Sequence, residues 1–89
     1  MSFRVFLHPK AAEFLSRSSH ELKERIKERL RELESEPEKK GTRLSYSAFY
    51  RMRIGDYRAV YTIDREAMRV LVLFIGHRRD VYDDFSRIL

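Results

Sequence analysis

Residues 50–61 read YRMRIGDYRAVY, and this stretch decides the fold. Tyr50, Met52 and Ile54 alternate with Arg51 and Arg53, Gly55-Asp56 supplies two residues of turn chemistry, and Tyr57, Ala59 and Tyr61 then alternate with Arg58 and Val60. Period-two alternation on both sides of such a pair specifies an antiparallel hairpin. With the turn at Gly55-Asp56, Ile54 faces Tyr57, Arg53 faces Arg58, Met52 faces Ala59 and Arg51 faces Val60. Two arginines are then directly cross-strand. The pair next to the one flanking the turn is non-hydrogen-bonded, with Cα atoms about 4.5 Å apart, and like charges opposite each other there cost stability. A sequence selected only for folding would avoid that arrangement.

Downstream, Met68 to Ile75 is apolar at almost every position, which predicts a strand covered on both faces. A turn centred on Arg65-Glu66 puts Met68, Val70, Val72 and Phe74 on the face of Tyr57, Ala59, Tyr61 and Ile63, the core face. Arg51, Arg53 and Arg58 then share the other face with Val60, Leu71, Leu73 and Ile75. This register sets Ile75 opposite Asp56, so Gly76-His77-Arg78-Arg79 leaves the sheet beside Arg53 and Arg58. Four or five cations converge on one rim. In the tail, Val81, Phe85 and Ile88 have the spacing of a short terminal helix over 80–89.

Upstream, Phe3, Val5 and Leu7 alternate with Arg4 and Phe6, a short first strand. Pro9 occupies a first helical position, followed by the apolar face of Ala11, Ala12, Phe14 and Leu15. Ser18 and Glu21 have capping-box spacing, so a second helix is expected from about Ser19 to Glu36, with Leu22, Ile26, Leu30 and Leu33 as its stripe. Lys23, Glu24, Lys27, Glu28, Arg31 and Glu32 fill its solvent face. Pro37 stops that helix, and Glu38 to Gly41 is a loop. The order is β-α-α-β-β-β with a short C-terminal helix. It predicts one α+β domain over residues 1–89, an antiparallel sheet with two helices packed on one face.

Composition bounds the function. At 89 residues and 10.8 kDa there is room for one core. The chain has no cysteine and three scattered histidines, which removes disulfides and thiolate sites and speaks against a bound metal. The longest apolar run, Val70 to Ile75, is far shorter than the roughly 20 residues of a membrane span, and no long apolar stretch follows Met1; a cytoplasmic protein without membrane contact is expected. The net charge is +5, with 14 arginines against 5 lysines. Arginine offers a planar fork that matches phosphate, so this balance favours polyanionic partners, although a salt-bridged surface has the same composition.

The basic rim has two readings. Asp56, Asp80, Asp83 and Asp84 neutralise it in a surface network, or Arg51, Arg53, Arg58, Arg78 and Arg79 hold phosphate because they outnumber those carboxylates. His77, between Gly76 and two arginines, is expected exposed, and its ordinary pKa near 6.5 suits proton transfer. Tyr82 is either a core aromatic or a platform on which a base stacks.

Residues 50–61, followed by Ile75-Gly76-His77-Arg78-Arg79-Asp80-Val81-Tyr82, resemble the RelE branch of the RelE/ParE toxin superfamily. The resemblance covers nearly the whole chain. It implies the toxin of a type II toxin-antitoxin pair, an mRNA endoribonuclease that cuts in the ribosomal A site and is silenced by a RelB-like antitoxin in a heteromeric complex. Such enzymes work without metal or other cofactor: the ribose 2′-hydroxyl attacks the adjacent phosphate. Carried over, Arg58 and Arg78 are the phosphate and transition-state clamps, Arg51, Arg53 and Arg79 the further RNA contacts, and Tyr82 the residue that holds or stacks a nucleotide. The best-known members carry lysines where this chain has Arg51 and Arg53. Arginine, with a pKa above about 12, is a poor general base, which turns attention to His77 as general acid. The superfamily leaves two alternatives: a ParE-like gyrase inhibitor, and a catalytically weak RNA-binding domain of the same fold.

Overall fold

The computed structural model describes residues 2–45 and 47–80. The terminal helix expected over 80–89 and the candidate Tyr82 therefore lie outside the described residues. Strand β1 (Arg4–Leu7) leads into α1 (Pro9–Arg17) and α2 (His20–Arg31). A 3-10 turn (Glu32–Glu34) and a short α3 (Pro37–Lys40) follow, then β2 (Thr42–Arg43), β3 (Phe49–Ile54), β4 (Tyr57–Asp64) and β5 (Arg69–His77). No helix among the described residues is long and apolar enough to cross a membrane.

Local chemistry explains the helix ends. His8 caps α1 by accepting from the Lys10 amide at 3.1 Å, with Pro9 at the first turn, where its missing N–H would have no partner. The cap of α2 is Ser19, whose Oγ accepts from the Leu22 amide at 3.2 Å. Ser18, expected to open the capping box, instead closes α1 by donating its hydroxyl to the Phe14 carbonyl at 2.9 Å. The expected helix to Glu36 ends sooner, at Arg31. Glu36 sits in the left-handed region with φ 50°, and Pro37 starts α3 rather than only stopping α2.

The five strands form one sheet in the order β1-β5-β4-β3-β2. The antiparallel expectation holds for β2 through β5, while β1 adds a parallel pairing, with Val5 beside Val70 and Leu7 beside Val72. A parallel partner is available because α1 and α2 carry the chain across the sheet before the meander begins. Helices cover one face: Ala11, Leu15, Ile26, Leu30 and Leu33 pack on Met52, Ile54, Ala59, Tyr61, Val70 and Val72, all buried. The Tyr61 hydroxyl, buried beneath this layer, donates to the Pro37 carbonyl at 2.6 Å, and burial pushes its pKa well above the usual tyrosine range. Gly41 makes this approach possible. A Cβ there would collide with the Tyr61 hydroxyl and lie 2.7 Å from the Arg51 carbonyl oxygen.

The β3–β4 register is the expected one, from Ile54 opposite Tyr57 through Arg51 opposite Val60. Gly55 has φ 60° and Asp56 does not lie at positive φ, the signs of a type II′ turn with glycine at its first central position. The β4–β5 register differs from the expectation. The connection uses four residues: the Asp64 carboxylate accepts from the Ala67 amide at 3.1 Å and Met68 turns with φ 55°, so Ile63 pairs with Val70 rather than Met68. A bulge follows. Tyr61 pairs with Val72 but Val60 pairs with Phe74, so Leu73 is the extra residue. The bulge turns Ile75 into the helix-covered core and sends Phe74 to the other face, where it packs with Val60, the reverse of the expected placement. Ile75 consequently pairs with Ala59, and Gly76 and His77 still belong to β5.

Candidate functional site

The face of the hairpin turned away from α1 and α2 carries the basic side chains. Arg53, Arg58 and Gly76 form one cross-strand row, and Arg51 pairs with Val60 in the next. Gly76 brings no side chain, so the guanidinium of Arg58 has no neighbour from the β5 position beside it. Arg58 Nη1 donates to the carbonyls of Gly55 and Tyr57, both at 2.8 Å, which lays the guanidinium over the turn. The loop after β5 is tied to the same turn, because the Arg78 amide donates to the Asp56 carbonyl at 2.9 Å. Arg78 and Arg79 are exposed. Among the described residues, none of the four ion pairs uses Arg53, Arg58, Arg78 or Arg79. Of the four carboxylates weighed as neutralisers, Asp56 and Asp80 form none of these pairs, and Asp83 and Asp84 lie outside the described residues.

His77 is placed differently from the sequence expectation. It pairs with Tyr57 and meets that ring edge-on at 5.6 Å, and Tyr57 in turn packs on Phe14 of α1 at 5.9 Å. Alternation sends Tyr57 and Arg58 to opposite faces, so the imidazole lies on the helix side, half-buried, while the arginine row lies on the other. Its Nδ1 accepts from the Arg79 amide at 3.3 Å, so in the neutral ring the proton is on Nε2. The ring borders a cleft of about 750 Å³ between α1 and the end of β5, lined also by Lys10, Phe14, Arg17 and Tyr57. Among the described residues no cluster of His, Asp and Glu is arranged to hold a metal ion.

Two cations of α2 escaped the sequence reading. Arg29 donates to the Arg53 carbonyl at 3.0 Å while ion-paired with Glu32 at 2.7 Å, and Arg25 reaches the turn, its Nη1 only 3.4 Å from where a Cβ on Gly55 would stand. The available signal was position: each directly precedes a residue of the apolar stripe, Ile26 or Leu30, and so leans toward the sheet rather than into solvent.

Comparison with known proteins bears on this geometry. The family model described as the ParE toxin of the type II toxin-antitoxin system, parDE, matches residues 5–82. The chain belongs to this toxin family. The toxin is also similar to solved structures of its superfamily. It aligns with the toxin-antitoxin complex RelBE2 from Mycobacterium tuberculosis at 26% identity and TM-score 0.78, covering 88% of this chain and 100% of that one. The archaeal RelE-RelB complex from Pyrococcus horikoshii gives 28% identity and TM-score 0.74, over 88% and 97%. A mutant of the E. coli toxin RelE in the free state shares the fold across the full length of both chains, at TM-score 0.79 and 24% identity. No curated protein matches the toxin by sequence. It is thus a toxin of a type II toxin-antitoxin system with the RelE fold.

Proposed function

We propose that this toxin is a cytoplasmic, ribosome-dependent mRNA endoribonuclease that cleaves in the A site and inhibits translation. One observation carries the reading: Arg53 and Arg58 are directly cross-strand, and neither is in an ion pair among the described residues. That juxtaposition is unfavourable in a free protein and favourable against a polyanion.

The ribose 2′-oxygen attacks the adjacent phosphorus, the bond to the 5′-oxygen breaks, and a 2′,3′-cyclic phosphate and a free 5′-hydroxyl result. Charge accumulates on the non-bridging oxygens of the phosphorane, and guanidiniums fixed in advance stabilise it without reorganising. Arg58, held over its turn, and Arg78, on the loop anchored to Asp56, take that role. Arg51, Arg53 and Arg79 contact neighbouring phosphates, and Tyr82 holds a nucleotide. An arginine that stays protonated is unsuited to remove the 2′-hydroxyl proton, so that proton passes to solvent water while these residues act through charge and orientation. His77 is the candidate general acid for the 5′-oxygen in its imidazolium form, since a neutral ring would have to leave as imidazolate. Taking up the second proton replaces the bond that Nδ1 accepts from the Arg79 amide. For that role the leaving group must lie over the end of β5, where the helix side and the arginine face meet.

The mycobacterial and archaeal relatives were solved as complexes with their antitoxins. The same arrangement is proposed here, a RelB-like antitoxin that neutralises the basic rim. The test is primer extension on a defined messenger in a programmed ribosome with an empty A site, comparing the toxin with Arg58→Ala. Codon-positioned cuts that vanish in the variant support the reading. A second reading has the family model's ParE description behind it: gyrase inhibition. Inhibition of supercoiling in vitro without ribosomal cuts would establish it, and RNA binding without either activity would leave a catalytically weak RNA-binding domain.

A further inference from the structure

The sheet face turned away from α1 and α2 has a second charged end. There β1, β5 and β4 line up Arg4, Arg69 and Asp64 in one row, with Phe6, Leu71 and Thr62 in the row above. Phe6 is the exposed large hydrophobic side chain among the described residues, 42% accessible, and the Arg69 guanidinium stands over its ring at 6.0 Å. Arg4 and Arg69 are neighbours on adjacent strands, a second like-charge pair, and neither is in an ion pair among the described residues. Asp64, which pairs with Arg69 in register, turns its carboxylate to the Ala67 amide. A groove of about 380 Å³ opens between Phe6, Thr62, Asp64, Arg69 and Leu71.

We infer that this end is a second nucleotide subsite, in which a base of the single-stranded RNA stacks on Phe6 and the adjoining phosphate meets Arg4 and Arg69. The inference rests on the RNA-cleaving reading and adds to it where the message runs. A flat aromatic ring open to solvent beside guanidiniums is the recurring platform for unpaired bases, because every base offers a π face whatever its sequence. The arrangement also sets a length. From the Arg58 row to the Asp64 row is six residues of β4, about 20 Å at roughly 3.3 Å per residue. That span corresponds to roughly four nucleotides, the short end of the range for single-strand sites. Between the two ends Leu44, Phe49 and Leu73, half-buried over the buried Val60 and Phe74, give an apolar stretch that a base can pass without losing hydrogen bonds.

The test uses the antitoxin-free toxin and 2′-O-methyl oligouridylates, which cannot be cut because the attacking hydroxyl is blocked. Fluorescence anisotropy compares a dinucleotide with a hexanucleotide. The toxin is expected to bind the hexamer at least tenfold more tightly, and Phe6→Ala or Arg69→Gln to bring that ratio below threefold, with Phe6→Tyr restoring it. A hexamer advantage that survives Phe6→Ala overturns the subsite. If dinucleotide binding depends on Arg58 at that point, the RNA reading stands without it. Binding of neither oligonucleotide, or binding insensitive to Arg58→Ala, overturns the subsite, while the RNA-cleaving reading is decided separately by the cuts on the programmed ribosome. A Phe6→Ala variant that loses affinity for the antitoxin while keeping the hexamer ratio also overturns the inference and assigns the platform to protein recognition.

Discussion

Arg53 and Arg58 face each other across the β3–β4 hairpin, and the backbone of Arg53 is held from behind by Arg29 of α2 at 3.0 Å while Arg58 is laid over the turn by its own carbonyl bonds. Positive charge is thus concentrated on one face by contacts that use the backbone. The guanidinium of Arg53 itself is exposed.

Replacing Arg53 therefore tests whether its side chain serves the fold or the proposed RNA contact. Arg53→Thr removes one member of a like-charge pair and places a good strand former on the face, so stability is expected to rise by about 0.2–1 kcal/mol at low salt. The gain shrinks as salt screens the pair. Urea denaturation at two ionic strengths measures it, and a loss of more than about 1 kcal/mol would mean the side chain supports the fold.

Ribosomal cleavage should depend on the arginines and His77 to different degrees. Arg58→Ala is expected to lower the cleavage rate on the order of 10²- to 10³-fold, the effect of removing one preorganised donor from a developing oxyanion. For His77→Ala a fall of about 10²-fold, with loss of the pH dependence contributed by an acid, marks a proton donor. A change below about threefold leaves the reaction to charge alone.

RNA affinity should follow salt. For single strands the slope of log affinity on log salt is about 0.7 per phosphate contact, so Arg58→Ala and Arg78→Ala should each flatten it by about that amount. A slope unchanged in both variants would remove them from the phosphate contacts.

The packing of Gly41 against Tyr61 predicts a coupled pair. Tyr61→Phe leaves the Pro37 carbonyl without its buried donor and should cost about 1–2 kcal/mol. Gly41→Ala forces its Cβ toward the Tyr61 hydroxyl and the Arg51 carbonyl and should cost roughly 1–3 kcal/mol. In the Tyr61→Phe background the second cost should be smaller, because one of the two obstructing oxygens is gone. Strict additivity in a double-mutant cycle would show that the contact is relieved elsewhere.

Tyr61 also sets an alkaline limit. Burial raises its pKa in the folded state, so its contribution to stability is complete below the ordinary value near 10 and is lost as pH climbs above it, where the unfolded chain ionises first. Stability should fall by up to about 1.4 kcal/mol per pH unit in that range from this group alone. The loss should be smaller in Tyr61→Phe. A phenolate absorbance titration in which all the tyrosines ionise near pH 10 with the fold intact would contradict it.

Much of the fold was legible because its signals are local. Alternation on either side of Gly55-Asp56 fixes the hairpin and its register, and the spacing of Leu22, Ile26, Leu30 and Leu33 fixes which side of α2 is buried. The register beyond Asp64 was not legible. Whether Arg65-Glu66 or a four-residue connection closes the next turn depends on a side-chain bond from Asp64 to the Ala67 amide, and the bulge at Leu73 carries no sequence mark inside a uniformly apolar run. The missed Arg25 and Arg29 reach the turn only because α2 crosses behind it.

By itself, then, the sequence determined one α+β domain, the cross-strand pairing of Arg53 with Arg58, and a basic segment after the last strand, since these follow from residue spacing and turn chemistry. The tertiary structure alone decided three things: that β1 runs parallel to β5, that a single extra residue exchanges Ile75 for Phe74 in the core, and that His77 looks toward α1 while the arginines look away from it. A strand's faces alternate with a period of two, so an insertion of one residue, or the choice of where the strand ends, reassigns side chains to opposite sides. That choice is made by the packing between elements far apart in the chain.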